Sequence, residues 1–174
     1  MRLQDSRPEV YHPGMEAVGE TSHARGRILA IDFGLKRWGL AISDALGMTA
    51  QGLPTLECPS VRDGLRDIRR ILEEYSAERV IVGNPIGHGG QETQMSRRVA
   101  EFAETLRRRL NCPVELWDER LTSREANRML RASGLGIVKR RRAVDRVAAT
   151  LLLQSYLDYQ AGQRARGGPP EAAP

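Results

Sequence analysis

The feature that most constrains the fold is a nearly continuous apolar run, ILAIDF, at residues 28–33. A strand that is apolar on both faces is typical of the centre of a sheet covered by helices on both sides. A single carboxylate, Asp32, interrupts the run just before its end. Because removing a carboxylate from water is costly unless a positive group meets it, the run predicts a central strand whose acid has a cationic partner.

Short apolar runs and segments of helical periodicity alternate along the rest of the chain. The predicted strands cover residues 27–33, 38–43, 48–56, 79–85 and 113–119, and the predicted helices cover residues 63–78, 94–110, 123–133 and 143–160. Three consecutive strands followed by strand–helix crossovers predict an α/β protein with a mixed five-stranded sheet and helices packed on both faces. This is the element order of the ribonuclease H-like fold, in which the first strand is central.

Local signals mark the ends or the position of several elements. Ser60, followed three residues later by Asp63, is a capping pattern for the first helix, and Thr93 is placed to cap the second. Gly52 and Pro54 weaken the third strand, which predicts that it is an edge strand or carries a bulge.

Apolar spacing indicates which side chains form the core. In the last helix the expected apolar positions are Val144, Val147, Leu151 and Tyr156. Trp38 and Trp117 lie within or at the end of predicted strands. We therefore expect both tryptophans to be core residues rather than platforms on which nucleic-acid bases stack.

Length and composition favour one folded domain in this chain of 174 residues. Core-forming residues are concentrated in residues 27–161, so we expect residues 1–26 and 162–174 to be flexible or disordered tails. No stretch reaches the roughly 18 apolar residues that cross a bilayer, and the N-terminus lacks the apolar core of a signal peptide. Cys58 and Cys112 form neither a metal-binding nor a disulfide pattern. These observations predict a cytoplasmic protein without a membrane partner.

Positive charge is concentrated in the second half of the chain. From Arg97 to Arg142 there are 13 Lys and Arg residues against 6 Asp and Glu residues, and Lys139, Arg140 and Arg141 lie in the final basic run. Such runs are often only a solvated face. The alternative is a surface for a polyanion, with nucleic acid as the first candidate. Charge alone does not separate the two interpretations.

Three predicted elements carry acids that the fold can bring together. The first strand ends at Asp32, the fifth ends at Asp118 and Glu119, and the last helix begins near Asp145. Because side chains alternate across a strand, only one of Asp118 and Glu119 can face such a cluster, and we favour Glu119. The small pair at residues 148–149 would let the last helix lie close to the sheet.

Gathered acids repel one another and raise each other's pKa values unless a cation joins them. Mg²⁺ and Mn²⁺ prefer oxygen ligands, and two such ions about 3.5–4 Å apart can activate water and stabilise the leaving oxygen of a phosphodiester. We therefore expect a two-metal site at Asp32, Glu119 and Asp145, with Asp118 as the alternative to Glu119. Each acid alone also has a structural interpretation, as an acceptor in a turn, an ion pair or a residue near a helix N-terminus.

Two arginines near these acids have two interpretations. Arg37 and Arg120 can each hold a substrate phosphate, since guanidinium geometry suits that ligand. Each can equally form an ion pair with an acid such as Asp32, Asp44 or Asp118. His88, in a glycine-rich loop, can shuttle protons, although a lone loop histidine is more often incidental.

The chain carries four segments in the order of a known family: DFGLKRWGLAISD at residues 32–44, VIVGNP at 80–85, DERLTSREA at 118–126 and VDRVAATLLLQ at 144–154. Together they resemble the YqgF family of proposed pre-16S rRNA nucleases, which is similar to RuvC-type Holliday junction resolvases. The resemblance spans residues 27–160. Asn84 departs from the pattern, because many relatives carry an apolar residue there.

This resemblance implies a ribonuclease H-like fold and a cytoplasmic role in trimming the 5′ end of precursor 16S rRNA on the ribosome. It also implies metal-dependent chemistry, with Mg²⁺ or Mn²⁺ held by Asp32, by the acid of the DER segment and by Asp145. Arg37, Arg120 and the basic run at residues 139–141 would then bind the substrate.

Two other functions remain open at this point. A junction-specific DNA endonuclease would use the same acids and would be a homodimer, because two strands must be cut symmetrically. A non-catalytic RNA-binding module would recruit processing factors without cutting RNA. Under any of these functions the protein is expected to be a monomer or a homodimer. An actin-like ATPase shares the D-x-G turn but needs two such domains, for which the chain is too short.

Overall fold

The computed structural model of the protein describes residues 26–57, 60–85, 91–118 and 137–167, with residues 137–142 as backbone only. The elements in chain order are β1 (Arg27–Phe33), β2 (Arg37–Ser43), β3 (Ala50–Glu57), α1 (Val61–Tyr75), β4 (Ala77–Asn84), α2 (Gln94–Arg109), β5 (Val114–Asp118) and α3 (Ile137–Ala165). The helix predicted over residues 123–133 lies outside the described residues. None of the described helices is long and apolar enough to span a membrane.

The five strands form one mixed sheet in the order β3–β2–β1–β4–β5. β1 pairs antiparallel with β2 and parallel with β4, while β2–β3 is antiparallel and β4–β5 is parallel. The predicted mixed sheet with a central first strand is therefore confirmed. β3 lies at an edge, its pairing with β2 shifts register, and Gly52 and Pro54 are exposed.

Each face of the sheet is covered by helices, as predicted. Alternate residues of β1 separate the two faces: Leu29 and Ile31 belong to the core beneath α1 and α2, and Ala30 belongs to the core beneath α3. Trp38 and Trp117 are only 2% and 8% exposed, which confirms both as core residues. A covered central strand explains why the residue 28–33 run is apolar on both sides.

The helix caps predicted at Ser60 and Thr93 are present. The Ser60 side chain accepts a hydrogen bond from the backbone N–H of Asp63 at 3.2 Å and caps α1. Thr93 and Ser96 form a reciprocal capping box at the start of α2. These contacts fix where each helix begins after its preceding strand.

α3 is longer than the sequence pattern predicts, since it begins at Ile137 and continues to Ala165. Among the residues of α3 whose side chains are described, the buried apolar ones are Ala149, Leu152, Leu153, Tyr156 and Leu157, and Gln160 is buried too. The expectation for Tyr156 is confirmed, whereas Val144, Val147 and Leu151 are only partly buried. The helix is apolar on most sides over residues 147–153, so its periodicity alone does not fix which face meets the sheet.

Glycines on the sheet let α3 lie against it. A Cβ atom on Gly39 of β2 would overlap the backbone carbonyl oxygen of Asp145, and one on Gly52 of β3 would press on the side chains of Arg146 and Thr150. The prediction assigned this close approach to alanines of the helix, and Ala149 is indeed fully buried. The close approach of α3 also requires glycines in the sheet, because Gly39 and Gly52 have no side chain to hold the helix away.

A polar network ties the second half of α3 to the other end of the sheet. Tyr156 donates to Glu115 of β5 at 3.0 Å and accepts a hydrogen bond from Arg79 of β4 at 3.1 Å. Gln160 lies one turn further along α3 and donates to Tyr156 at 3.3 Å. A cavity of about 510 Å³ borders this network. Since these groups satisfy one another, they anchor α3 without leaving a buried charge unpaired.

Candidate metal and nucleic-acid site

Asp32 lies at the end of the central strand, on the face that α3 covers. It is paired across the sheet with Gly39 of β2, and Ala30 two residues earlier belongs to the core beneath α3. Side chains at positions i and i+2 of a strand share a face. The acid at the tip of the apolar run is therefore directed to the same side of the sheet as α3.

Asp145 is brought to the same place by the close packing of α3. Its backbone carbonyl lies directly over Gly39, the residue that pairs with Asp32. The negative charge of Asp145 is close enough to raise the pKa of the Asp32 carboxyl. The structure thus brings together two of the predicted site acids, from the first strand and the last helix.

The surroundings of Asp32 disfavour its charged form. Burial, and secondly the negative charge of Asp145, raise the pKa of the Asp32 carboxyl from its ordinary value of 3.8 to about 6. A raised pKa of this origin means that the carboxylate lacks a compensating positive group. The sequence pattern predicts a cationic partner for Asp32.

Arg37 supplies positive charge to Asp145. The guanidinium Nε of Arg37 donates to Oδ2 of Asp145 at 2.7 Å, and the two side chains are 33% and 22% exposed. The expectation that Arg37 can form an ion pair is confirmed, but its partner is none of the acids suggested from the sequence. The two residues are 108 positions apart, so only the packing of α3 on β2 reveals the pair.

Asp118 lies on the opposite face of the sheet from Asp32. It pairs with Asn84 at the ends of β5 and β4, in alternation with Trp117, which packs against α3. Glu119 and Arg120 fall outside the described residues. Within the described part of the chain, no group of three or more His, Cys, Asp and Glu side chains is arranged to hold a metal ion.

The basic run at residues 139–141 lies in the first turns of α3, where only the backbone is described. His88 and its glycine-rich loop fall outside the described residues. The structure therefore places the helix that carries the basic run, and it leaves the side chains of that run as predictions.

Asn84 is the last residue of β4 and lies at the same end of the strands as Asp32 and Asp118. Its side-chain oxygen Oδ1 is buried and has no hydrogen-bond partner among the described residues. Buried acceptors in proteins are nearly always paired. Sequence reasoning treated Asn84 only as a departure from a pattern and missed this acceptor.

Gly39 also contributes to the candidate site, and sequence reasoning missed it as well. It places no side chain between Asp32 and the backbone of α3. A signal was available, because a glycine inside an otherwise apolar strand often marks the close approach of another backbone.

Asp44, the second acid of the opening hairpin, has a structural role. Its Oδ1 accepts hydrogen bonds from the backbone N–H groups of Met48 at 2.7 Å and Thr49 at 3.1 Å, and these bonds lower the pKa of Asp44. It follows β2 at the end of the sheet where β1 begins, away from Asp32. Asp44 therefore shapes the turn between β2 and β3.

The donor set of the site fits a hard divalent cation. Asp32 and Asp145 offer carboxylate oxygens, the ligands that Mg²⁺ and Mn²⁺ prefer, and the raised pKa of Asp32 shows negative charge that Arg37 does not balance. A cation shared by the two carboxylates would remove both the repulsion between them and the cost of burying Asp32.

Comparison with known families decides the relationship. A family model described as "RuvX: Holliday junction resolvase" matches residues 26–159. The chain belongs to the RuvX family. This is the family that the four sequence segments resemble under the name YqgF.

Relatives within the RuvX family are similar along most of their length. A protein of Koribacter versatilis named "Putative pre-16S rRNA nuclease" is 46% identical over 139 residues, which are 80% of this chain and 91% of the relative. A protein of Clostridium novyi with the same name is 40% identical over 132 residues, which are 76% of this chain and 98% of the relative.

Solved structures show the fold of the RuvX-family chain. Thermus thermophilus RuvC in complex with a Holliday junction substrate has a TM-score of 0.51 at 16% identity, covering 78% of this chain and 96% of that one. The yeast mitochondrial Holliday junction resolvase Ydc2 has a TM-score of 0.50 at 10% identity, covering 81% of each chain. These similarities confirm the ribonuclease H-like fold.

Proposed function

We propose that this RuvX-family chain is a divalent-metal-dependent nuclease that processes the 5′ end of precursor 16S rRNA. The observation that carries the proposal is the convergence of Asp32 and Asp145 beside Gly39, with the Asp32 carboxylate partly buried and its pKa raised. Two mutually repelling acids on one surface are costly for a fold unless a cation binds there. The names of the relatives at 40–46% identity supply the substrate class.

Glu119 is the proposed third acid of the site. Within β5, Trp117 packs on the α3 side, and the neighbouring Leu116 packs with the core on the other side. Alternation puts Asp118 with Leu116, so the next position in an extended strand shares the face of Trp117 and of Asp32. This alternation of side chains favours Glu119 as the third ligand, with Asp118 as the alternative.

The proposed roles of the side chains follow from their surroundings. Asp32, Glu119 and Asp145 would hold Mg²⁺ or Mn²⁺, which supplies a lowered pKa for the attacking water and stabilises charge on the leaving oxygen. Arg37 and Arg120 would position the phosphate. Burial and the charge of Asp145 raise the pKa of Asp32 to about 6, so without a metal ion this carboxyl is mostly ionised at neutral pH and above.

The basic run on α3 would guide the RNA backbone toward these acids. Lys139, Arg140 and Arg141 precede Asp145 by four to six residues on the same helix, or about 6–9 Å along its axis. Cations in the first turns of a helix oppose its macrodipole. A polyanion bound there would offset that cost, which supports a nucleic-acid partner.

The proposal is tested with a 5′-extended 16S rRNA substrate in Mn²⁺ or in EDTA. We expect Asp32→Asn to reduce cleavage at least about a hundredfold, because the proposed metal site loses one of its carboxylate ligands, while RNA affinity measured in EDTA changes less than about threefold. Asp44→Asn is the matched control, since this acid serves a turn at the other end of the sheet. Wild-type cleavage by purified Asp32→Asn protein would refute the proposal.

The third acid is tested by a pair of adjacent substitutions. Glu119→Gln is expected to lose cleavage at least about a hundredfold, whereas Asp118→Asn keeps it within about threefold, because only one of the two neighbours can face Asp32. Loss of activity in Asp118→Asn with a fully active Glu119→Gln would exchange the two assignments.

A junction-specific DNA endonuclease is the second candidate, because the matching family model carries the description of a Holliday junction resolvase. A four-way DNA junction in the same assay separates the two substrates. Symmetric cutting of the junction would require a homodimer, which light scattering detects, whereas rRNA processing is compatible with a monomer. Absence of any product from either substrate would favour a non-catalytic RNA-binding module.

A further inference from the structure

A cation is already present among the proposed metal ligands. The Nε of Arg37 donates to Asp145 Oδ2 at 2.7 Å. Within the described residues, the two terminal nitrogens of this guanidinium donate no hydrogen bond, and the side chain is one-third exposed. Arg37 thus donates to the acid through Nε alone. The negative charge of Glu57, its cross-strand neighbour on β3, also acts on the guanidinium, and the terminal nitrogens can turn to a further anion.

The charges at the site are not balanced by this ion pair. Arg37 forms its ion pair with Asp145, whereas Asp32, at the end of β1 on the same face of the sheet, forms no ion pair with it. A divalent cation bound to both carboxylates would lie within a few ångströms of the guanidinium. Like charges at that separation repel strongly in a partly buried site. The guanidinium and the metal ion therefore compete for the same carboxylate.

We propose that Arg37 is the counter-ion of Asp145 in the metal-free protein. When a divalent cation binds, Arg37 leaves Asp145 and its guanidinium binds the RNA phosphate instead. The proposal rests on the metal site of the proposed function. Arg37 is suited to this exchange because it is the first residue of β2, directly after the turn that follows β1, and its side chain reaches solvent. Guanidinium groups bind carboxylate and phosphate with the same geometry.

The exchange couples the two ligands. A metal ion that frees the guanidinium raises the affinity for RNA, and by thermodynamic linkage bound RNA raises the affinity for the metal by the same factor. Metal loading would thus prepare the protein for its substrate.

The first test measures Mn²⁺ binding to the full chain by calorimetry without RNA. We expect Arg37→Gln to bind Mn²⁺ about tenfold more tightly than wild type, because a positive charge next to the ion is removed. Arg37→Lys keeps that charge and is expected to stay within about threefold of wild type. Arg66→Gln is the matched control, since it removes one charge from an exposed position of α1 on the opposite face. Circular dichroism confirms that each variant is folded.

The second test measures RNA affinity by fluorescence anisotropy with and without Ca²⁺. This ion also binds oxygen ligands, but its longer and more flexible coordination makes it a poor substitute for Mg²⁺ in catalysis. Wild-type protein is expected to gain at least about fivefold in affinity when the ion is present. Arg37→Gln is expected to gain less than about twofold, since no guanidinium is released.

The outcomes separate this inference from the proposed function. If Asp145→Asn abolishes Mn²⁺ binding while Arg37→Gln binds the ion no more tightly than wild type, the counter-ion role is wrong and the metal site stands. If wild-type protein binds no Mn²⁺ at saturating concentration, both are wrong. Tighter binding in Arg37→Gln, with Arg37→Lys and Arg66→Gln unchanged, supports the exchange.

Discussion

Asp32 and Asp44 end the two apolar runs of one β-hairpin, and their carboxyl groups meet opposite surroundings. Backbone N–H groups surround Asp44 and lower its pKa, whereas burial and a second acid raise the pKa of Asp32. The same residue type therefore shapes a turn at one end of the sheet and is a proposed metal ligand at the other. The role of each aspartate is determined by the hydrogen-bond donors near its carboxyl group, and not by its position at the end of an apolar run.

The raised pKa of Asp32 predicts how stability depends on pH. Its folded-state pKa, about 6, lies above the unfolded value, so between about pH 4 and pH 6 the folded state binds more protons. The free energy of unfolding therefore falls as pH rises through that window. In EDTA near pH 8, Asp32→Asn is expected to be about 1–3 kcal/mol more stable than wild type, and near pH 4 about equal to it.

Urea unfolding at the two pH values measures this difference directly. A variant that is no more stable than wild type near pH 8 would show that the Asp32 carboxylate is not held in an unfavourable environment. Addition of Mn²⁺ to wild type is expected to recover the stability, because a ligand that binds only the folded state stabilises it.

The contact between α3 and β2 determines the geometry of the site at the scale of whole elements. Gly39 lets the backbone of Asp145 approach the sheet beside Asp32, while the polar network around Tyr156 anchors the other half of the helix. The helix is thus held at two separate places. A change in its distance from β2 would move one proposed ligand relative to the other.

Gly39→Ala tests this contact. The added Cβ would overlap the Asp145 carbonyl oxygen, so α3 must shift, and we expect a loss of about 1–3 kcal/mol of stability together with weaker Mn²⁺ binding. Gly162→Ala is the matched control in α3, because nothing lies within 4 Å of its new Cβ. There alanine is expected to stabilise by about 0.5–1 kcal/mol. Equal thermal stability of the two variants would contradict the packing argument.

The distribution of charge acts at the scale of the whole molecule. The net charge is +5, but the excess is concentrated between Arg97 and Arg142, and part of it lies on the helix that also carries Asp145. Few aromatic side chains are available for stacking, and both tryptophans are in the core. RNA affinity should therefore come mainly from phosphate contacts and fall steeply with salt.

Replacing Lys139, Arg140 and Arg141 together by Gln tests this surface. We expect weaker RNA binding, and a slope of log affinity against log salt that is reduced by about 2–3, because roughly one counterion is released per phosphate contact. Anisotropy titrations between about 50 and 300 mM KCl measure that slope. The matched control replaces Arg62, Arg66 and Arg70, exposed residues of α1, and should leave the slope unchanged. Equal slopes in both triple variants would assign the basic run to an ordinary solvated face.

Local patterns predict the elements and their order well. The apolar run of β1, the capping residues Ser60 and Thr93, and the weak third strand all act through neighbours in the chain. Chain connectivity then leaves few topologies, and the central position of β1 follows from them. The convergence of Asp32 and Asp145 was predictable for the same reason, since the topology directs the end of β1 and the start of the last helix to one place.

Contacts between distant elements account for what the sequence does not predict. The partner of Arg37 lies 108 positions away, and the network joining Arg79, Glu115 and Tyr156 also links separate elements. Neither pairing changes the local pattern of charge or hydropathy. The orientation of α3 was uncertain for a related reason, because a helix that is apolar on most sides can meet the sheet in several rotations.

The exposed border formed by β3 affects how molecules of this protein meet one another. Pro54 has no N–H group to offer a neighbouring strand, and the exposed Gly52 nearby provides no side chain to pack against it. A strand from a second molecule would find an interrupted hydrogen-bonding ladder there. This side of the sheet is therefore a poor template for stacking into fibrils, even in concentrated solution.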